Sequence, residues 1–342
     1  MNSKSPFFIA EISANHCGDI DIAKKLILCA KKYGANAVKI QSYSPDTMTI
    51  NSNKKYFKIK KGLWKNYTLW DLYKKAQTPF SWHRELFSYA KKNGILMFST
   101  PFDESSVDLL EKLKCPIYKV ASFEMTDLPL IKKIALTKKP MIISTGTSSL
   151  SEIDLAYKTA KKYGAKEISL LYCVSNYPAK IRDFNLNNIK ILKDRFKCKV
   201  GFSDHSKNNK IAIAAVTMGA EIVEKHIALK GQRKGLDIEF SLKGSEIGLF
   251  KSDLDLAYQL TSNKKFTRSD SEKKSKFFRR SIFVVKDIKK NEKFTTDNIR
   301  RIRPGIGLEP KYYARLLGKK SPMMLKREHP LKKSILKKIF FK

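Results

Sequence analysis

His205 and His226 stand near the ends of two short β-rich runs, KVGFSDHS (199–206) and EIVEKHI (221–227). Neutral imidazoles with carboxylates nearby and open positions suit a divalent transition ion such as Mn2+, Fe2+, Co2+ or Zn2+. A plainer reading, two hydrogen-bonded structural histidines, stands beside it. Lys39 in AVKIQS (37–42) and Lys119 in PIYKVAS (116–122) sit within apolar runs. Ammonium groups pointing inward are costly unless an anion neutralises them, so a phosphate or carboxylate substrate is the natural counter-ion. Ion pairing with Glu11 or Glu124 is the structural alternative. Lys39 and Gln41 are two residues apart and share a strand face. Other runs end in Glu11, in Ser99 and Thr100, in Ser144 and Thr145, in Asn176 and Tyr177, in Ser203 and Asp204, and in Glu224 and Lys225 beside His226.

These residues need a frame. Eight β-like runs alternate with helical patterns from residue 7 to about 260: FFIAEIS, AVKIQS, ILMFSTPF, PIYKVAS, PMIISTG, EISLLYCV, KVGFSDHS and EIVEKHI. DIAKKLILCAKKYG (21–34) typifies the segments between them, with apolar residues at i, i+3 and i+4 and a closing glycine. Strands alternating with helices imply a parallel sheet. Eight such units fit an α/β fold of the (β/α)8 TIM-barrel type. An open doubly wound sheet is disfavoured because the first loop reads SANHCGD, without GxGxxG. A barrel places the polar strand ends on one rim, where active sites form. Two stretches break the rhythm. Residues 43–78 form a long excursion of the kind that builds substrate sites. Residues 263–280 are polar and charged and read as a linker. The expected domains are therefore a barrel over 1–262, that linker, and a small module over 281–342 that docking onto a barrel would help hold.

The 342 residues are 42% hydrophobic, which excludes global disorder. No run approaches the roughly 18 apolar residues of a membrane span, and the N-terminus lacks a signal-peptide pattern. A cytoplasmic protein with no membrane partner is expected. Five cysteines without a CxxC pair argue against a zinc ribbon or a disulfide framework. Lys+Arg 69 against Asp+Glu 32 gives +37. The lysines are dispersed as KK pairs on polar helix faces, so specific nucleic-acid binding is not expected. A basic polyanion-binding protein on a degenerate barrel is the alternative from a different class, and it predicts salt-sensitive DNA binding. His16 fits turn scaffolding and substrate contact equally. His83 and His329 read as structural or exposed, and Trp64, Trp70 and Trp82 as packing residues.

The segments IAEISANHCGD, AVKIQSY, FSTPFD, YKVASFE, ISTGTSS, SDHS, EKHIAL and GLDIEFS, followed by RRIRPGIGL, resemble the N-acetylneuraminate (sialic acid) synthase family. They lie in order over nearly the whole chain. ISANH and GLWKNYTLWDLYKKAQTPFSWHRELF are similar to the family's pseudaminic acid branch. The resemblance implies a TIM barrel followed by a small C-terminal antifreeze-like (SAF) domain. It also implies condensation of phosphoenolpyruvate with an N-acylated amino sugar, releasing phosphate and giving a nine-carbon 2-keto acid. In the pseudaminic branch that sugar is 2,4-diacetamido-2,4,6-trideoxy-L-altrose. Sialic or legionaminic acid synthesis is the alternative within the family. Matched by motif, His205 and His226 are the ligands of a divalent metal, Mn2+ with Mg2+ or Co2+ also suited. Glu11 matches the acidic residue near the metal and the sugar carbonyl, and Glu124 an acidic partner near the reacting centre. Lys39, Thr100, Lys119, Ser122, Ser144, Asn176 and Ser203 match positions around phosphoenolpyruvate. Gln41, Tyr177 and Asp237 match the sugar side. Glu11, Lys119 and Glu124 are the catalytic candidates. Arg303 matches an arginine that the SAF domain inserts into the other subunit's barrel, which implies a domain-swapped homodimer. Two positions depart from the pattern. Cys17 replaces the usual asparagine, and GLDIEFS lacks the histidine of G-x-D-H-x-F-S.

Overall fold

Each β-rich run forms a strand in the computed structural model, which describes residues 5–263 and 265–340. The strands are β1 (Phe7–Glu11), β2 (Ala37–Ser42), β3 (Leu96–Pro101), β4 (Tyr118–Val120), β5 (Met141–Ser144), β6 (Ile168–Cys173), β7 (Lys199–Asp204) and β8 (Ile222–Ala228). They pair in parallel in chain order, and β1 pairs with β8, so the sheet closes into a barrel. A two-residue strand, β9 (Leu242–Lys243), pairs in parallel with the end of β8. No helix among the described residues is long and apolar enough to cross a membrane.

The helices follow from amphipathic spacing and caps. They are α1 (Ile20–Lys32), α2 (Pro45–Met48), α3 (Leu69–Ala76), α4 (Phe80–Lys92), α5 (Glu104–Lys112), α6 (Leu128–Leu136), α7 (Leu150–Lys162), α8 (Asn187–Phe196), α9 (Lys210–Thr217) and α10 (Glu246–Thr261). In α1 the buried set Ala23, Leu26, Ile27 and Ala30 is the i, i+3, i+4, i+7 stripe that faces the sheet. The Asp19 carboxylate accepts from the Asp21 and Ile22 amides at its start. Ser149 and Glu152 form a reciprocal capping box on α7. The excursion after β2 holds α2 and α3, with a hairpin between them.

Gly201 in β7 shows how tightly the layer beneath the rim is packed. An added Cβ would lie 2.3 Å from the Ile222 carbonyl oxygen and 2.7 Å from Leu171 Cδ2. Neither neighbour is a free chain end, so Gly201→Ala is expected to cost about 3 kcal/mol, the upper end for overpacking. Chemical denaturation monitored by circular dichroism measures it. An unchanged midpoint would mean that the barrel relaxes around the methyl group.

The chain divides into two units after Asn263. The second has its own apolar core, including Ile282, Val284, Phe294, Leu308, Leu325 and Leu331. In it β10 (Ser281–Val284) pairs antiparallel with β11 (Ile299–Ile302). The segment read as a linker is not wholly irregular: Ser269 caps a short helix at Asp270–Lys274, and a 3-10 turn follows at Ser275–Phe278. Lys264 of that segment, residues 341–342 of the expected second domain and residues 1–4 lie outside the described residues.

Candidate active site

Strand alternation decides which side chains enter the barrel, and register decides their level. Glu11 lies beside Lys39 on one side and His226 on the other. Ser203 lies beside Glu224, and Gln41 beside Thr100. These groups line one cavity of about 330 Å3 at the C-terminal ends of the strands, together with Lys119, Ser122, Glu124, Ser144, Tyr177, His205 and Asp237. The intervening residues face the other way. Asp204 and Lys225 form a buried ion pair of 2.7 Å outside this cavity. Ser99 bonds to Ser42, which in turn meets His83. The rim list read from the strand ends is corrected accordingly: Ser203 and His205 serve β7, and Glu224 and His226 serve β8.

The floor is an ionic cluster almost closed to water. The Lys39 ammonium pairs with the Glu11 carboxylate and donates to Thr100 Oγ1 at 2.9 Å. Glu224 lies 3.8 Å from Lys39 and 3.6 Å from Lys119, and accepts from Ser203 Oγ at 3.1 Å. Burial opposes the charge on Lys39, but Glu11 and Glu224 outweigh it and hold its pKa above the ordinary value. For Lys119 burial prevails over the pull of Glu224, Lys39 adds repulsion, and the pKa falls. Lys119 is thus the cation most in need of an additional anion. Burial would also raise Glu224, yet Lys119 and Lys39 hold it below the usual carboxylate range. Burial lifts Glu11 to about 7 against the pull of Lys39, with Glu224 reinforcing the rise. Glu224 Oε2 and Ser144 Oγ are buried without a hydrogen-bond partner. Such polar capacity left open at a barrel mouth marks a place for a polar ligand.

Glu124 lies in the turn after β4, and burial pushes its carboxyl to about 7 from the ordinary 4.5. Its folded pKa therefore exceeds its unfolded one, so stability is lost as pH rises from about 4.5 through about 7. Glu124→Gln removes that loss. The variant is expected to match the parent near pH 4.5 and to exceed it by up to about 3 kcal/mol at pH 8. Denaturation at both pH values checks this, and a constant difference between the two proteins would refute it.

The two imidazoles lie side by side with ring centroids 5.5 Å apart, each edge-on to the buried Phe240. His205 Nδ1 lies 3.2 Å from the Val174 carbonyl oxygen, an arrangement that places a proton on Nδ1 and leaves Nε2 bare. Burial, and then the positive neighbours His205, Lys39, Lys225 and Lys119, keep His226 neutral. Its Nδ1 has no hydrogen-bond partner, with Asp237 Oδ2 3.6 Å away. Burial opposes charge on His205, but Cys173 outweighs it and holds its pKa above the ordinary value. Once His205 is deprotonated, two imidazoles with unused nitrogens beside a carboxylate fit the ligand chemistry of a divalent cation. Among the described residues no three His, Cys, Asp or Glu groups converge into a complete cage.

Not every expected residue enters this cavity. Asn176 lines a neighbouring one with Thr145, Ser148 and Asp183, and its amide reaches Asp183 at 3.3 Å. Arg303 is exposed just beyond β11 in the second unit and lines a separate depression there. His16 is a scaffold: it is buried, accepts from the Gly18 amide at 3.0 Å and meets Trp82 edge-on. Trp64, read as a packing residue, instead lines the cavity. Its Nε1 donates to the Leu236 carbonyl oxygen at 3.0 Å, and its ring lies 5.3 Å from Tyr177. Glu224 was visible as a strand-end polar group, but only its place between two lysines marks it as part of the site. Its spacing of two from His226 was the available signal.

A closed parallel barrel with ionisable groups gathered at the C-terminal ends of its strands is the architecture of a TIM-barrel enzyme. The model of the NeuB family matches residues 26–265, and that of the SAF domain matches residues 279–336. The chain belongs to the NeuB family, the sialic acid synthase family that its motifs resemble. It is 41% identical over 330 residues to the pseudaminic acid synthase of Helicobacter pylori, covering 95% of this chain and 96% of that one. It is 38% identical over 319 residues to the N,N'-diacetyllegionaminic acid synthase of Campylobacter jejuni, covering 92% of this chain and 96% of that one. Among solved structures, the N-acetylneuraminic acid synthetase of Leptospira borgpetersenii in complex with citrate superposes with a TM-score of 0.72 at 32% identity, covering 79% of this chain and 90% of that one.

Proposed function

We propose that this chain is a pseudaminic acid synthase, a cytoplasmic enzyme that joins phosphoenolpyruvate to 2,4-diacetamido-2,4,6-trideoxy-L-altrose and releases phosphate. The observation that carries the reading is the juxtaposition of two buried lysines with the paired imidazoles in one cavity. An enol phosphate needs cations beside its phosphate and carboxylate, and the sugar aldehyde needs an electrophilic neighbour. The higher identity to pseudaminic than to legionaminic acid synthases supports the choice of sugar.

Lys39 and Lys119 hold the phosphate and carboxylate, with Thr100, Ser122, Ser144 and Ser203 as hydroxyl donors around them. A divalent ion, Mn2+ or alternatively Mg2+ or Co2+, held by His205 and His226 supplies Lewis acidity toward the sugar carbonyl when bound. Carbon 3 of phosphoenolpyruvate attacks the aldehyde carbon, forming the new C–C bond, and the aldehyde oxygen gains a proton to become a hydroxyl. Glu124 lies close enough to neutrality to carry that proton. Water adds to carbon 2 and loses a proton to Glu11, whose pKa near 7 suits a base at neutral pH. The tetrahedral carbon then expels phosphate by C–O cleavage, leaving the 2-keto acid. The lysines stabilise anionic charge before and after it moves, and alignment of the two reactants supplies several kcal/mol more. Gln41, Tyr177 and Asp237 bind the sugar side. In a domain-swapped homodimer, Arg303 of one copy meets the N-acyl group bound in the other.

The test offers the purified protein phosphoenolpyruvate, Mn2+ and each candidate sugar in turn. Equimolar phosphate and a nine-carbon keto acid of the expected mass from the trideoxy-L-altrose sugar are the predicted outcome. Preferential turnover of a legionaminate or sialate precursor would move the assignment within the family. An active monomer by light scattering would reject the role given to Arg303.

A further inference from the structure

The cavity wall comes from two parts of the chain. Lys39, Lys119 and Glu224 rise from the barrel strands, whereas Ile59 and Trp64 come from the excursion after β2. Both belong to a hairpin. The Ile59 amide donates to the Tyr67 carbonyl oxygen at 3.0 Å, and the Asn66 amide donates to the Ile59 carbonyl oxygen at 3.2 Å. Trp64 is pinned through its indole N–H to Leu236, the neighbour of Asp237. The polar atoms of Ile59 and the indole N–H are thus already committed, and what these residues present to the cavity is hydrocarbon and aromatic surface.

We propose that Ile59 and Trp64 are specificity-determining residues that select a methyl group over a hydroxymethyl group at the end of the sugar remote from its carbonyl. The inference rests on the proposed function. The carbonyl carbon must meet the enol phosphate among the strand-borne groups, so the opposite end of the six-carbon chain points toward the hairpin. A methyl group there gains apolar contact. A hydroxyl there loses water and finds no partner on either residue, which is the costly case. Discrimination by an apolar pocket against an added hydroxyl is about 100-fold at most.

The experiment compares kcat/KM for 2,4-diacetamido-2,4,6-trideoxy-L-altrose and for its 6-hydroxy counterpart, with phosphoenolpyruvate and Mn2+, in the parent protein and in two variants. The parent is expected to favour the deoxy sugar by about 10–100-fold. Ile59→Gln, which puts an amide into the wall, is expected to lower that ratio about tenfold with the KM for phosphoenolpyruvate unchanged. Trp64→Phe keeps the ring but frees the Leu236 carbonyl to accept from the hydroxyl, and it too should lower the ratio. Equal use of both sugars by the parent, or a ratio unmoved in both variants, overturns the inference and leaves the condensation reading standing. Turnover of neither sugar overturns the condensation reading and this inference with it.

Discussion

Replacement of His205 or His226 by alanine is expected to lower phosphate release by about a thousandfold or more, the largest effect of any single change in the barrel. The expectation rests on the under-bonded state of the two rings, each of which keeps a nitrogen that no hydrogen bond uses. His226 Nδ1 has no hydrogen-bond partner, and His205 is oriented through Val174 so that its other nitrogen is bare. Charge stabilisation by a held cation contributes several kcal/mol to a transition state, and about 4 kcal/mol corresponds to that thousandfold. Neither ring holds a buried ion together, so the variants should remain folded. Thermal denaturation establishes that, and isothermal titration with Mn2+ measures the loss of metal affinity separately from the loss of turnover. A His205→Ala protein that binds Mn2+ and releases phosphate at the parent rate would refute the assignment of both rings.

The two buried lysines are expected to behave oppositely when replaced by methionine. Lys39 is the direct partner of Glu11, and both are almost sealed from solvent. Lys39→Met leaves a buried carboxyl group without its counter-charge, a change that costs about 3–5 kcal/mol of stability. Lys119 has no carboxylate closer than Glu224 at 3.6 Å, and burial already depresses its pKa. Lys119→Met should therefore leave the denaturation midpoint unchanged or raised, while Lys39 and Ser203 continue to hold Glu224. Its penalty appears in function instead. One charge-assisted contact to an anion is worth about 1.5–3 kcal/mol, so the KM for phosphoenolpyruvate should rise about 10–100-fold. Stability and steady-state kinetics on the two variants separate the roles. Equal destabilisation by both would show that Lys119 is a structural ion-pair partner. The contrast is a local instance of stability given up for a binding site.

The chain's chemistry was legible wherever it depends on residue type and on a period of two. AVKIQS has to put Lys39 and Gln41 on one face, and EIVEKHI has to put Glu224 and His226 on one face. Eight such runs separated by amphipathic helices admit little besides a closed parallel sheet. What alternation leaves open is which face is inside and which residues on neighbouring strands lie level. Those follow from closure of β1 against β8 and from the register around the ring, which join positions more than 200 residues apart. Hence the pairing of Lys225 with Asp204 outside the cavity, and the place of Glu224 between two lysines, belong to the tertiary structure. Loop residues were harder still, because a loop path has no period to read. Asn176 turns toward Asp183 in a neighbouring cavity, while Trp64 is carried into the site by a hairpin and anchored to a carbonyl 172 positions away. Sequence alone determined the donors and their strand faces, since covalent geometry sets these locally. Only the closed barrel decided which donors share a charge, because that is set by contacts between segments remote along the chain.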